Sequence, residues 1–202
     1  MNYAIEFHDA KYPFLDIAAR KKALKHTLLS VVEGLAIIKL GRKEYAIEPG
    51  QYFWIPQGCL SSLTFLPNSR AYRCDFSVRL NDDFSQQAGF VKPSLLLKAL
   101  VEKLAITAER SELHIDLLTV VRHEVLTLSP KLTHSTLTKA INQWVPGCDM
   151  HISKELCLVL TLREARKMKL SGKKEMQIVD TLFAGNMEEY EQLCFLVFGT
   201  VL

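Results

Sequence analysis

The sequence lacks most of the features by which a chain of this size announces its chemistry. Its five cysteines (Cys59, Cys74, Cys148, Cys157 and Cys194) are odd in number and form no C-x-x-C pair. That excludes a disulfide framework and a zinc knuckle, and it points to a reducing cytoplasm. The longest apolar run, Leu193 to Phe198, is far too short to span a bilayer, so no membrane partner is expected. The first sixteen residues carry acids early and hold no unbroken apolar segment, so no signal peptide is expected. Charge of one sign is also scarce: 25 basic and 22 acidic residues leave a net charge of +3, too little to mark a nucleic-acid binder. No G-x-S-x-G, P-loop or G-x-G-x-x-G run occurs, and the six histidines are scattered. His114 and His123 share a helical stretch but stand about 180° apart around it. Neither an enzyme nor a bound cofactor is expected. With 202 residues the chain buries roughly 70% of its unfolded surface and needs no staple.

What is present changes character twice. From Lys25 to about Leu80 the pattern is β. Thr27–Gly34, Leu35–Leu40, Glu44–Ile47, Tyr52–Pro56, Ser61–Leu66 and Ala71–Leu80 read as strands separated by Gly, Pro and Asn turns. Strands of this length and spacing make an antiparallel sandwich or barrel. Past Asn81-Asp82-Asp83 the period becomes helical. Leu97, Val101, Leu104 and Ala108 form a seam after Pro93-Ser94. A second helix runs from about Ser111 to Leu128 and carries Leu113, Leu117 and Val121 on one side; a third carries Leu137, Ala140, Ile141 and Trp144 and stops at Pro146-Gly147. Leu97, Val101, Leu104, Leu113, Leu117 and Val121 are the candidates for pairing two subunits. Leu160–Leu170, Met176–Ala184 and Met187–Phe198, the last closed by Gly199, make a helical tail with a helix-turn-helix outline. The run Leu193–Phe198 is apolar all round and requires burial in the fold or in a partner.

The stretch Val32-Glu33-Gly34 to Gly41-Arg42-Lys43-Glu44-Tyr45-Ala46-Ile47-Glu48-Pro49-Gly50-Gln51-Tyr52-Phe53-Trp54-Ile55-Pro56 resembles the cupin pattern, in which such a run builds one side of a small barrel. A metal-binding cupin would place histidines before Gly34 and after Pro56. Here His26 precedes the first strand, but Gln57-Gly58-Cys59-Leu60-Ser61-Ser62 holds none. One imidazole and one thiol do not complete a three-ligand set, so no metal is expected there. Small barrels also enclose ligands. Strand alternation nominates Tyr45, Ile47, Phe53, Ile55, Phe65, Tyr72 and Phe76, with Leu63 and Cys74, as facing inward, where they form either a filled core or the lining of a pocket. Arg70 and Arg73 are either anion ligands or solvated strand charges.

In the tail, Leu162, Arg163, Ala165 and Met168–Leu170, then Ile178-Val179, Gly185, Tyr190, Cys194 and Phe198-Gly199, resemble the end of an AraC-type DNA-binding domain. Two departures stand out. Upstream of the linking helix only Leu137–Val145 and Ile152–Leu156 are found, so the first helix-turn-helix unit of that family is missing. The helix that corresponds to the second reader carries Glu188, Glu189 and Glu191 and no Lys or Arg, and residues 146–202 hold seven basic against eight acidic side chains. Such a helix repels phosphates. Arg163, Arg166, Lys167, Lys173 and Lys174 remain as candidates for touching the DNA backbone, or as a solvated helix face.

The combined reading is an α+β chain: a small antiparallel cupin-like β-barrel (residues 1–82), a helical dimerisation segment (83–145) and a degenerate AraC-type helix-turn-helix region (146–202). The resemblance implies a cytoplasmic, homodimeric, transcription-regulator-like protein that senses a small-molecule effector and holds duplex DNA weakly or not at all. The alternative is an interaction module without DNA binding that pairs with another regulator and modulates it.

Overall fold

The computed structural model describes residues 4–147 and 152–200; Cys148 and His151 lie outside the described residues. Among the described residues ten strands precede six helices, the α+β order expected from the sequence. Strands β1 (Ile5–Tyr12), β9 (Ser69–Phe76), β4 (His26–Glu33), β7 (Tyr52–Ile55) and β10 (Gly89–Val91) make one antiparallel sheet in that spatial order. Strands β2 (Asp16–Ile17), β8 (Leu60–Phe65), β5 (Ala36–Leu40) and β6 (Lys43–Ile47) make the second, with β3 (Lys21–Lys22) also pairing β8. β1, whose residues alternate only weakly in polarity, is not visible in the sequence pattern, and β10 carries the first sheet past residue 82.

Both sheets are covered on both faces. Between them lie Leu29, Val31, Ala36, Ile38, Tyr45, Ile47, Phe53, Ile55, Phe65 and Ala71. The outer face of the first sheet presents Leu28, Tyr52, Trp54, Tyr72, Cys74 and Phe76 to α1 (Leu95–Ala105) and α2 (Glu112–Leu126). The outer face of the second presents Ile37 and Ala46 to a helical layer of α3 (Thr136–Gln143), α4 (Lys154–Leu170), α5 (Glu175–Leu182) and α6 (Met187–Phe198). The result is four layers, helix–sheet–sheet–helix. Strands buried on both faces lose their alternation and read as continuous apolar runs, which is why Tyr52–Ile55 is buried at every position.

The helices start where their caps dictate. Ser94, Ser111, Ser135, Ser153 and Asn186 each accept a hydrogen bond from the amide three residues on. The expected start of α4 moves back from Leu160 to Lys154, because Ser153 caps it. Two glycines serve close approaches. At Gly34 (φ +75°) a methyl group would meet the Ser69 backbone 2.8 Å away, and Ser69 Oγ accepts from the Leu35 amide at 3.0 Å. At Gly199 (φ +74°) it would meet the Phe14 ring at 2.7 Å, next to a hydrogen bond from the Leu15 amide to the Val197 carbonyl of 2.7 Å. The end of α6 is thereby tied to the loop after β1.

Strand β6 is the edge of its sheet, and an edge leaves amides without ladder partners. Helix α3 supplies the acceptors. Thr138 Oγ1 accepts from the Ala46 amide at 3.0 Å, and Asn142 Oδ1 accepts from the Glu44 amide at 2.9 Å while its Nδ2 donates to the Glu44 carbonyl at 2.6 Å. Thr138 is fully buried. Replacing it with valine keeps the shape but leaves the Ala46 N–H unsatisfied. We expect a loss of about 1–3 kcal/mol in unfolding free energy, read from urea denaturation; an unchanged midpoint would contradict this account of the edge.

Candidate functional site

Tyr45, Ile47, Phe53, Ile55 and Phe65 all point into the space between the sheets, where they form one contiguous apolar cluster. Tyr12 stacks on Phe65 at 3.8 Å and Phe90 meets Phe53 edge-on at 4.9 Å. Tyr72 and Phe76 do not share that interior. With Cys74 they face the opposite way, into the layer under α1 and α2. The reason is register: Ala71 is the residue of β9 that points inward, so its neighbours at odd offset point out. The His134 ring lies against Tyr45 of this cluster, with 5.3 Å between the ring centroids. His26 lies on the outer side, stacked on Trp54 at 5.6 Å and tilted against Phe84 at 5.0 Å. Burial pushes its pKa below the ordinary value, and its Nδ1 accepts from the Gln57 amide at 3.2 Å. Burial also raises the Cys59 thiol and pushes Cys74 up to about 12, so neither is poised as a thiolate. Among the described residues neither His26 nor Cys59 belongs to a group of three metal-ligating side chains, so this pair does not fit the metal site of a metal-binding cupin.

The dimerisation candidates divide in the same way. Leu97, Val101, Leu104 and Val121 are buried against their own sheet beside Trp54, Tyr72 and Phe76. The seam read as intersubunit is an intrachain helix–sheet contact, because the first sheet has an apolar outer face of its own to cover. Leu113 remains 49% exposed and Leu117 half-buried. His114 is buried and His123 exposed, the opposite facing expected for them. Arg70 is bound to Asp9 through two hydrogen bonds of 2.9 and 2.7 Å, and Arg73 lies 3.0 Å from Asp75. Both serve as strand-surface ion pairs.

One opening lies outside the barrel. A cleft of about 660 Å³ separates the outer face of the second sheet from α3 and α4. Ile17, Ile37, Ile141, Trp144 and Leu170 give it apolar walls. Five cations reach it, Lys39 and Arg42 from the barrel side and Arg163, Arg166 and Lys167 from α4, against two carboxylates, Glu44 and Glu164. Glu44 binds Arg163 at 2.9 Å and lies 3.8 Å from Lys39, and Glu164 binds Lys167 at 3.0 Å. Arg166 sits 6.0 Å over the Phe198 ring. Among the described residues neither Arg42 nor Arg166 has a carboxylate partner. The cleft thus carries unneutralised positive charge over an apolar floor.

This arrangement corrects part of the reading of the tail's basic residues. Arg163 and Arg166 line the cleft against the barrel, whereas Lys167 stands exposed at its rim and Lys173 and Lys174 are outward, in the turn between α4 and α5. The outward face of α6 carries exposed Glu188, Glu189 and Glu191. The run Leu193–Phe198 is not fully covered either. Cys194 and Val197 are buried, whereas Phe195 and Leu196 are 57% and 66% exposed. Lys39, Arg42, Asn142 and Trp144 were not selected from the sequence as site residues. The available signal was Ile37, an apolar residue on the same outward face of β5 as Lys39, which marks that face as covered.

No family model matches the chain, and no curated protein matches it. Among solved structures it is similar to an apo ToxT variant from Vibrio cholerae, at 11% identity over 99% of this chain and 96% of that one, with a TM-score of 0.47. A second Vibrio cholerae ToxT structure aligns at 10% identity over 98% and 96% of the two chains, with a TM-score of 0.40. A cupin superfamily protein from Desulfitobacterium hafniense aligns with 38% of this chain and 71% of its own at 9% identity, with a TM-score of 0.35.

An apolar floor under uncompensated guanidinium groups suits an amphiphilic anion. We expect 1-anilinonaphthalene-8-sulfonate to bind in the cleft. Arg42→Ala should weaken it about tenfold, the effect of losing one charge-assisted hydrogen bond of roughly 1.5 kcal/mol. Fluorescence titration checks this, and identical affinities would exclude the cleft as the anion's site.

Proposed function

We propose that this chain is a ligand-responsive, dimerising, regulator-like protein of AraC-type organisation, whose own hold on duplex DNA is weak or lost. The observation that carries the reading is the two-sided construction of the cleft. Its cations come from the barrel (Lys39, Arg42) and from the helix leading into the tail (Arg163, Arg166, Lys167). An anion seated there touches both layers at once, so its binding energy differs between arrangements of barrel and tail. That difference is what a ligand needs in order to shift a conformational equilibrium. The effector is accordingly a small molecule with an acidic group on an apolar body, held between the layers and not inside the barrel.

Two subunits pair through the part of α2 that its own chain leaves open. Leu113, Leu117 and Val120 recur at helical spacing on its outward side, and Leu113 and Val120 are exposed. DNA contact rests on little. With Arg163 and Arg166 turned inward, Lys167, Lys173 and Lys174 are the tail's outward candidates, and α6 presents carboxylates to any phosphate it approaches. The second reading, a module that pairs with another regulator, is favoured by one observation: Phe195 and Leu196 stand exposed on the same helix as Glu188 and Glu191, a surface suited to protein and not to DNA.

Sedimentation equilibrium should give twice the chain mass for the native protein and the single-chain mass for Leu113→Asp combined with Val120→Asp. Equal masses would remove α2 as the dimer contact. Three phosphate contacts, from Lys167, Lys173 and Lys174, predict that log affinity for duplex DNA falls with log salt with a slope no steeper than about −3. A slope that steep or shallower supports the regulator reading, a much steeper one contradicts the weak grip, and no binding at low salt supports the interaction module.

A further inference from the structure

We infer that the chain carries a site for a divalent transition cation of the Zn²⁺ type on the strand pair β1–β9, held by Glu6, His8 and Asp75. Antiparallel pairing sets Glu6 directly opposite Asp75 and His8 opposite Arg73, so the three side chains stand on one face of the first sheet. His8 Nε2 lies 3.7 Å from Glu6 Oε2 and 3.7 Å from Asp75 Oδ2, and the three ligand atoms lie within 4.8 Å of one another. An ion about 2.0–2.2 Å from each ligand needs them roughly 3.4 Å apart in tetrahedral geometry. Small side-chain rotations bring them there, with water completing the coordination.

Two carboxylates facing each other across a strand pair are destabilising unless something offsets them. In the metal-free protein, cations do so: Lys25 Nζ is 2.7 Å from Glu6 Oε2, and Arg73 is 3.0 Å from Asp75 Oδ2. Asp75 is buried and its second oxygen, Oδ1, accepts from Thr27 Oγ1 at 2.7 Å, which orients the carboxylate. Binding is therefore an exchange: the ion takes the two oxygens and the imidazole nitrogen, and the Lys25 and Arg73 side chains, still protonated, turn to water. A mixed imidazole and carboxylate set selects zinc-like ions over magnesium.

Glu6 and His8 line a cavity of about 240 Å³ whose wall on the α2 side includes His114. His114 is 93% buried by its 7% exposure, and its Nε2 is withdrawn from solvent with no hydrogen-bond partner. His114 lies on the α2 side of the first sheet, opposite the face that carries Glu6, His8 and Asp75, and is not a ligand of this site. The site is separate from the barrel–tail cleft and does not rest on the regulator reading.

The test is calorimetric titration of the full metal-free chain with zinc chloride alone, with circular dichroism confirming the fold of each variant. One equivalent should bind. His8→Ala and the conservative His8→Gln should each weaken binding about 10–100-fold. Lys25→Met should tighten it, because it removes the cation that competes for Glu6. His123→Ala, an exposed imidazole elsewhere on α2, should leave it unchanged. The proposal falls if the native chain binds no zinc, if the His8 variants bind it as the native chain does (as thiol binding at Cys59 or Cys157 would produce), if Lys25→Met weakens it, or if magnesium binds equally well.

Discussion

The structure depends on one packing requirement: two small sheets are apolar on both sides. The space between them is filled by their own side chains, and each outer face still carries large apolar residues, Trp54 and Phe76 on one sheet and Ile37 on the other. An exposed face of that kind is a site of association, so each must be roofed. Helices α1 and α2 roof the first sheet and α3 to α6 the second. The helical tail is therefore not a separate body hung on a linker. Leu15, Ile37, Ala46 and Leu66 from the β part share one apolar cluster with Leu160, Leu162, Ile178, Tyr190 and Cys194 from the tail.

The same requirement explains what could be read from the sequence. Strands β4 to β9 and the ends of α1, α2 and α6 were legible, because turn glycines and prolines, serine caps and the final Gly199 are local signals. Facing was not. Alternation identifies an inner face only when the other face is polar, and in β9 the sequence Ala71, Tyr72, Arg73, Cys74, Asp75, Phe76 puts its larger apolar residues on the outer side. The small Ala71 is the inward residue, and nothing in the chain's order announces that. The helical seam failed for a related reason: Leu97, Val101 and Leu104 look alike whether the partner is a second copy or the first sheet.

Charge follows from the layering too. Once α4 lies over the second sheet, its basic face has a choice of outlooks, and Arg163 is drawn inward by Glu44. Glu44 itself is held at both ends, its backbone by Asn142 and its carboxylate by Arg163. Residue types that in sequence resemble a DNA-facing helix thus become the wall of an internal cleft. What remains outside on α6 is acidic, and the two observations together reverse the electrostatic expectation for a reader helix.

The hydrogen bond from Leu15 to Val197 joins the loop after β1 to the end of α6, about 180 residues later in the sequence. During synthesis the early strands emerge long before the helix that covers them, since translation proceeds at about 5–20 residues per second and domains fold from the front. The nascent β part must then wait with Leu15, Ile37 and Leu66 uncovered, in need of a holdase or of transient self-burial, until the helices that form its roof have emerged.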